Sequence, residues 1–166
     1  MADYKEYIVR VYNGRTEWRN KEGKLHREDG PAIDYTRGDK SWFKNGRLHR
    51  EDGPAAEYAN DKFWYKNGRL HREDGPAIEY ANGNKAWYQN DKLHREDGPA
   101  VEYVDRERRW YKNGELHRED GPAYECANGK KYWYINGKQL TEQEFNNRKK
   151  EFSMEEVAKA LGVPVG

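Results

Sequence analysis

The residues of this sequence that could do chemistry lie together in one short segment that occurs five times. The segment, called the junction below, is Leu-His-Arg-Glu-Asp-Gly-Pro-Ala and begins at Leu25, Leu48, Leu70, Leu93 and Leu116. All five histidines of the chain lie in it, 22 or 23 residues apart. Each copy brings an imidazole beside a guanidinium and two carboxylates, which are side chains that bind metals and transfer protons.

A metal-dependent hydrolase is one interpretation of this cluster. Each copy offers one His and two carboxylates, and copies built from strand pairs would lie about 9–10 Å apart. No spacing in the sequence matches a zinc or calcium motif. A tuned catalytic site also needs one copy that differs from the others, and all five junctions are identical. We therefore predict a protein that is not an enzyme, with no catalytic residues, no metal and no cofactor.

Two columns of aromatic residues repeat with the junction and offer a second kind of chemistry. The first column is Trp18, Trp42, Trp64, Trp87, Trp110 and Trp133, and the second is Tyr12, Tyr35, Tyr58, Tyr80 and Tyr103, ending in Cys126. With the interleaved Lys and Arg, such columns could stack single-stranded nucleic acid or sequester a small anionic ligand. The 31 basic and 30 acidic residues nearly cancel, however, and the aromatic residues are the main core material. Packing is therefore favoured over nucleic-acid binding.

A period of 22 or 23 residues is typical of a repeat protein. Within one period, Ala77-Ile78-Glu79-Tyr80 predicts a strand and Lys85-Ala86-Trp87-Tyr88 predicts the returning strand, with a third short strand at Leu93-His94-Arg95. Asn-Gly follows the aromatic pair in most copies and favours a type I′ hairpin turn. We predict a mainly β fold: an elongated antiparallel meander of about six stacked β-hairpins over residues 1–140, starting with a strand at 4–12.

The repeat ends after Gly137, and residues 141–166 have the composition of helices. Thr141-Glu142-Gln143-Glu144 and Ser153-Met154-Glu155-Glu156 each fit a capping box, which predicts a helix to about Lys150 and a second one after it. Met154, Val157, Ala158 and Leu161 form one apolar stripe. This tail would either cap the open end of the sheet or dock a partner, and the need to cover sheet edges favours the cap.

Composition bounds the environment of the protein. The single cysteine, Cys126, rules out an intramolecular disulfide framework and a zinc site with several cysteines. No apolar run approaches membrane-spanning length, and the first residues do not resemble a secretory signal. We predict a cytoplasmic protein with no membrane association.

The unit Gly98-Pro99-Ala100-Val101-Glu102-Tyr103, followed by Trp110-Tyr111-Lys112-Asn113-Gly114 and Leu116-His117, resembles the variant MORN repeat. The resemblance covers roughly residues 7–140 and implies stacked β-hairpins that serve as a scaffold for protein binding. The commoner MORN pattern has Gly after Leu-His, where this chain has Arg, and lacks the Glu-Asp before Gly-Pro. The form found here is similar to repeat proteins of bacteriophages and large DNA viruses. That similarity implies an accessory protein that binds and inhibits a host protein, such as a defence factor, in the host cytoplasm.

The function expected from the sequence is therefore a non-enzymatic interaction module with a host protein as partner and with self-association through sheet edges as an option. The expected contact residues are the charged and aromatic side chains of the central copies: His49, Arg50, Glu51, His71, Arg72, Glu73, His94, Arg95, Glu96, Trp64, Trp87 and Trp110.

Overall fold

The chain folds into a long antiparallel β-structure that ends in one helix. The structure, a computed structural model, describes residues 6–162 and omits the side chains of 149–155 and 160. In chain order the elements are β1 (Ile8–Tyr12), β2 (Arg15–Arg19), β3 (Ile33–Tyr35), β4 (Lys40–Ser41), β5 (Phe43–Lys44), β6 (Arg47–Leu48), β7 (Ala56–Tyr58), β8 (Asp61–Phe63), β9 (Tyr65–Lys66), β10 (Arg69–Leu70), β11 (Ile78–Glu79), β12 (Lys85–Ala86), β13 (Tyr88–Gln89), β14 (Lys92–Leu93), β15 (Val101–Glu102), β16 (Arg108–Arg109), β17 (Tyr111–Lys112), β18 (Glu115–Leu116), β19 (Tyr124–Glu125), β20 (Lys131–Ile135), β21 (Lys138–Leu140) and α1 (Glu142–Leu161).

Thirteen of these strands form one sheet whose spatial order follows the chain, from β1 and β2 through β3, β4, β7, β8, β11, β12, β15, β16, β19 and β20 to β21. All neighbours are antiparallel, so the predicted meander of stacked hairpins is confirmed. Beside this long sheet, four two-stranded hairpins repeat down the array: β5–β6, β9–β10, β13–β14 and β17–β18.

The prediction of one continuous returning strand per unit is wrong, because that strand changes partner at its tryptophan. In the unit that contains Trp87, Lys85 and Ala86 pair with β15 of the next unit, whereas Tyr88 pairs with Leu93 of its own unit. Between them, the Trp87 N–H donates to the Ala100 carbonyl of the next unit at 2.8 Å. Each internal unit therefore gives two strands to the long sheet and two to a short hairpin.

The register of the long sheet places opposite charges side by side. Glu79 lies opposite Lys62 on one side and Lys85 on the other, and Lys85 in turn lies opposite Glu102. The same alternation of acid and base runs from Asp34 to Lys131. Because opposite charges on facing strands attract, and a slip of one residue would put the charged row on the other face, this row fixes the register.

Small residues, not aromatic ones, occupy the most buried positions. The last residue of every junction is completely buried, at 0% exposure: Ala32, Ala55, Ala77, Ala100 and Ala123. All six tryptophans are only half-buried. The predicted core of aromatic columns is thus thin, and each tryptophan needs another group to cover it.

The C-terminal tail caps the last hairpin. Thr141 is the N-cap of α1, and the predicted capping box with Glu144 is present. Phe145 is 2% exposed, and α1 packs against β20 and β21. Capping covers a sheet edge that would otherwise be free to pair with other chains.

The prediction of two helices is wrong, because α1 runs unbroken from Glu142 to Leu161. No Gly or Pro separates the two capping boxes, so nothing forces the helix to stop. Beyond Phe145, two residues of the predicted apolar stripe are exposed and do not pack on the array: Val157 is 57% and Leu161 69% exposed. Met154 lies outside the described side chains. No helix within residues 6–162 has the length and apolar character needed to cross a membrane.

We expect Phe145→Ala to destabilise the end of the array, because a large buried ring is removed from the contact between α1 and the last hairpin. Truncation of a buried Phe costs about 3 kcal/mol. Val157→Ala is the control, since this side chain is exposed and should cost under about 0.5 kcal/mol. Urea unfolding followed by circular dichroism measures both. Equal effects of the two substitutions would show that α1 does not cap the sheet.

Candidate interaction surfaces

Each junction arginine lies flat on the tryptophan of its own unit. The distances from Cζ to the indole centroid are 4.0–4.2 Å for the pairs Arg27–Trp18, Arg50–Trp42, Arg72–Trp64, Arg95–Trp87 and Arg118–Trp110. A guanidinium over an indole is attracted by the ring quadrupole and also covers the ring from water. These arginines therefore cover the first five of the six half-buried tryptophans.

Polar contacts hold the guanidinium in this position. Arg72 Nε donates to Asp74 at 2.9 Å, and its Nη1 donates to the Pro76 carbonyl at 3.2 Å and to Glu79 at 3.1 Å. The Arg–Asp and Arg–Pro bonds recur in all five junctions. Arg50, Arg95 and Arg118 make the equivalent contact with a Glu of the following strand, so the guanidinium also links each of these junctions to the next unit.

The junction glycine leaves room for the guanidinium. A Cβ at Gly75 would lie 2.9 Å from Cζ of Arg72, and the other four junctions give 2.9–3.1 Å. Gly75 does not have a positive φ. The sequence suggested only a turn here, whereas the structure shows that a Cβ at this position would push the guanidinium out of its place.

Side-chain acceptors join successive units on both rims of the array. On one rim, His71 Nδ1 accepts from the backbone N–H of Asn90 in the next hairpin turn at 3.3 Å, and the other four histidines do the same at 3.1 Å. On the other rim, Asp61 Oδ1 accepts from the Ala81 N–H at 2.7 Å. Asp39 and Asn84 make the equivalent contact. The junction histidines are therefore structural acceptors.

The loop face is defined here as the side of the ribbon that carries the junctions. Of the twelve residues expected to contact a partner, the histidines, arginines and tryptophans are engaged in the contacts above, and only the glutamates extend outward. Glu51, Glu73 and Glu96 keep 82%, 76% and 84% of their side chains exposed, although each has a His within 3.3–3.8 Å. Grooves of about 660–870 Å³ separate successive junctions.

The loop face also carries basic side chains on the short hairpins. Lys44 lies opposite Arg47, and Lys66 lies opposite Arg69, all four exposed. The grooves between junctions include Lys44 and Lys66 beside the junction carboxylates. The loop face is therefore strongly charged with both signs.

The opposite side of the ribbon carries the tyrosines and is called the tyrosine face below. Its central row is Ala56, Phe63, Ile78, Ala86 and Val101, which has no charged side chain. Two columns of partly buried rings flank this row: Tyr35, Tyr58, Tyr80 and Tyr103 on one side, and Phe43, Tyr65, Tyr88 and Tyr111 on the other. Strand alternation puts these rings opposite the loop face, since Tyr88 follows Trp87 and Tyr80 follows Glu79.

The tyrosine columns lie close enough to influence each other. Phe63 touches Tyr58 and Tyr80, with ring centroids 6.1 Å apart in both pairs. Burial raises the pKa of Tyr88, and the neighbouring hydroxyls of Tyr80, Tyr111, Tyr103 and Tyr65 raise it further. Sequence reasoning assigned these tyrosines to the core and missed this face; the signal was the alternation of Glu79 with Tyr80 and of Trp87 with Tyr88, which puts the tyrosines on the side away from the tryptophans.

One unit departs from the repeat on the tyrosine face. Arg109 stands in the central row, bonded to Glu107 at 2.5 Å and 4.7 Å from the ring of Tyr124. Tyr124 donates to Glu107 at 3.3 Å. A hydrogen bond with Cys126, together with burial, raises the pKa of Tyr124 to about 12. Within the described residues, no group of three or more His, Cys, Asp or Glu side chains comes together to hold a metal ion.

No protein-family model matches this sequence, and no curated protein is significantly similar to it.

We expect Arg72→Lys to destabilise the array by about 2 kcal/mol, because Lys loses both the stacked plane and the forked hydrogen bonds. Arg69→Lys is the matched control in the same unit: no carboxylate within the described chain lies within 4.0 Å of Arg69, so the change should cost under about 0.5 kcal/mol. Trp fluorescence during urea unfolding measures both. Similar midpoints for the two variants would contradict the role given to the stack.

Acid should weaken the array as the junction aspartates are protonated. A hydrogen bond from Arg72 lowers the pKa of Asp74 below its ordinary 3.8, and Asp52 and Asp97 are lowered in the same way by their own arginines. A folded pKa below the unfolded one stabilises the fold above the ordinary pKa, and this contribution is lost as pH falls through 3.8 toward the folded value.

The urea midpoint should therefore fall steeply below about pH 4 and stay nearly constant between about pH 5 and 7. Asp74→Asn should lower the midpoint at neutral pH and make the loss in acid less steep. A wild-type midpoint unchanged down to about pH 3 would count against this role of the aspartates.

Proposed function

We propose that this protein is a non-enzymatic protein-binding module that contacts its partner with the tyrosine face. The observation that carries the proposal is the two columns of partly exposed rings, one on each side of an uncharged row, with no described element packed over them. Tyr80, at the centre, keeps 41% of its surface exposed. A contiguous aromatic surface that no element covers typically marks an interaction site.

The chemistry of tyrosine suits this role. A tyrosine ring supplies a large apolar contact with only two rotatable side-chain bonds, and its hydroxyl can satisfy a polar group of the partner. Tyrosine is accordingly enriched in the centres of protein interfaces, where charged residues are depleted. On the other side, the hydrogen-bonded arginines of the junctions keep the strands in place. The tyrosine face therefore loses little conformational entropy when a partner binds.

The partner expected from this chemistry is a folded protein with an apolar, weakly charged patch. The loop face, which carries both positive and negative charges, would remain in water during binding and would keep the complex soluble. Inhibition of a host protein, as implied by the viral resemblance, would follow if the covered patch of the partner is a functional one. The activity of a captured partner with and without this protein measures that consequence directly.

We expect Tyr80→Arg to reduce binding at least tenfold, because a charge would be placed at the centre of an uncharged contact. Glu73→Lys is the matched control: it lies in the junction just before the strand of Tyr80, is well exposed and changes charge on the opposite face. The wild-type chain is used to capture partners, and each captured protein is then titrated against the purified variants.

The outcome separates the two faces. Binding lost in Tyr80→Arg and kept in Glu73→Lys supports the tyrosine face, provided that both variants keep the wild-type urea midpoint. The reverse pattern would assign the partner to the junction loops, where the sequence first placed it. A protein captured equally by both variants would not be a partner of either surface.

A further inference from the structure

The first strand of the sheet is an exposed apolar edge. Within residues 6–162, β1 pairs with β2 on one side only, and it is the terminal strand of the long sheet. Four of its five side chains are apolar or aromatic and largely exposed: Ile8 44%, Val9 50%, Val11 78% and Tyr12 41%. Edge strands are usually blunted by proline, by several charges or by a bulge, and β1 has only Arg10.

The hydrogen bonds of β2 show which backbone groups of β1 are free. Trp18 lies opposite Val9, but its N–H donates to the Ala32 carbonyl and its carbonyl accepts from the His26 N–H. Trp18 therefore makes no backbone bond to β1, and Val9 belongs to a non-hydrogen-bonded pair. By the alternation of an antiparallel ladder, the N–H and C=O groups of Val9 and Val11 point outward from the sheet.

The two ends of the array differ. At the far end α1 packs against β20 and β21, and Phe145 is buried in that contact. An array with two open edges could add copies without limit, whereas one with a single open edge can pair only once. Pairing of like edges about a two-fold axis then closes as a dimer.

We propose that β1 pairs with β1 of a second copy of this chain, in an antiparallel dimer whose two-fold axis passes through Val9. In this register the outward groups of Val9 bond to each other and those of Tyr7 bond to Val11. Ile8 lies opposite Arg10, and the diagonal neighbours of Arg10 on the other copy are Glu6 and Arg10, so each guanidinium has one carboxylate within reach of a long side chain. A register centred on Arg10 would set two guanidinium groups opposite each other.

The second copy is favoured over another extended segment by the fit of β1 to itself. The register centred on Val9 uses its outward backbone groups, sets apolar Ile8 opposite Arg10, and gives each Arg10 a carboxylate, Glu6, as one of its diagonal neighbours. The dimer would also double the number of tyrosine faces in one continuous sheet, so a partner with two equivalent sites would gain affinity from effective concentration. The dimer itself does not depend on the proposed function.

The test is the mass of the full chain in solution by sedimentation or light scattering. The wild-type protein is expected at twice the chain mass of 19.7 kDa. Val11→Lys and Val9→Pro should each raise the dissociation constant at least tenfold, the first by placing charge in the apolar contact and the second by removing an outward donor. Neither change removes a bond between β1 and β2.

Val104→Lys is the control, because Val104 is 65% exposed and lies far along the array. It should remain dimeric. Amide exchange gives a second readout: the Val9 and Val11 N–H groups should be protected in the wild-type protein and exchange freely in Val11→Lys. A monomeric wild-type protein, or a dimer that persists in both β1 variants, would overturn the proposal.

Discussion

The stacking of one arginine on one tryptophan is the interaction on which the rest of this structure depends. A ribbon one sheet thick has few positions where a large side chain can be fully buried, and here the completely buried residues are alanines. The indole needs a cover, and the guanidinium gives one whose hydrogen bonds can still be satisfied at the surface. Asp74, Pro76 and Glu79 fix Arg72 from three directions, and Gly75 leaves the space in which it lies.

This group of residues, the arginine with the tryptophan, Asp, Gly, Pro and Glu around it, is called the clamp. It also explains how the units join into one array. The junction runs from the short hairpin of one unit to the first strand of the next, so a clamped junction determines where the next strand begins. A histidine on one rim and an Asp or Asn on the other then accept backbone N–H groups of the following unit. Each unit is therefore bonded to its neighbours at the centre and at both rims, which is the nearest-neighbour coupling that stabilises repeat proteins.

Much of the fold could be predicted from the sequence, because turn residues and strand pairs recur at a fixed period. The meander, the Asn-Gly turns and the capping box at Thr141 follow from local rules. The change of partner at Trp87 and the space at Gly75 could not be predicted, since both depend on residues from two units coming together. The continuous helix was missed because Ser153 was interpreted as the N-cap of a second helix. No residue before it would end the first helix.

The identity of the five junctions carries a different meaning once their contacts are known. Every side chain of the clamp is constrained by another member of it, so copies remain alike for structural reasons, and identity alone does not mark a binding site. The positions that vary are more informative about function. Arg109 interrupts an otherwise uncharged row. The first strand of every later unit follows a junction, whereas β1 does not and is an exposed apolar strand. Such departures place specific chemistry at single points of a regular array, where a partner or a second copy can recognise one unit among six.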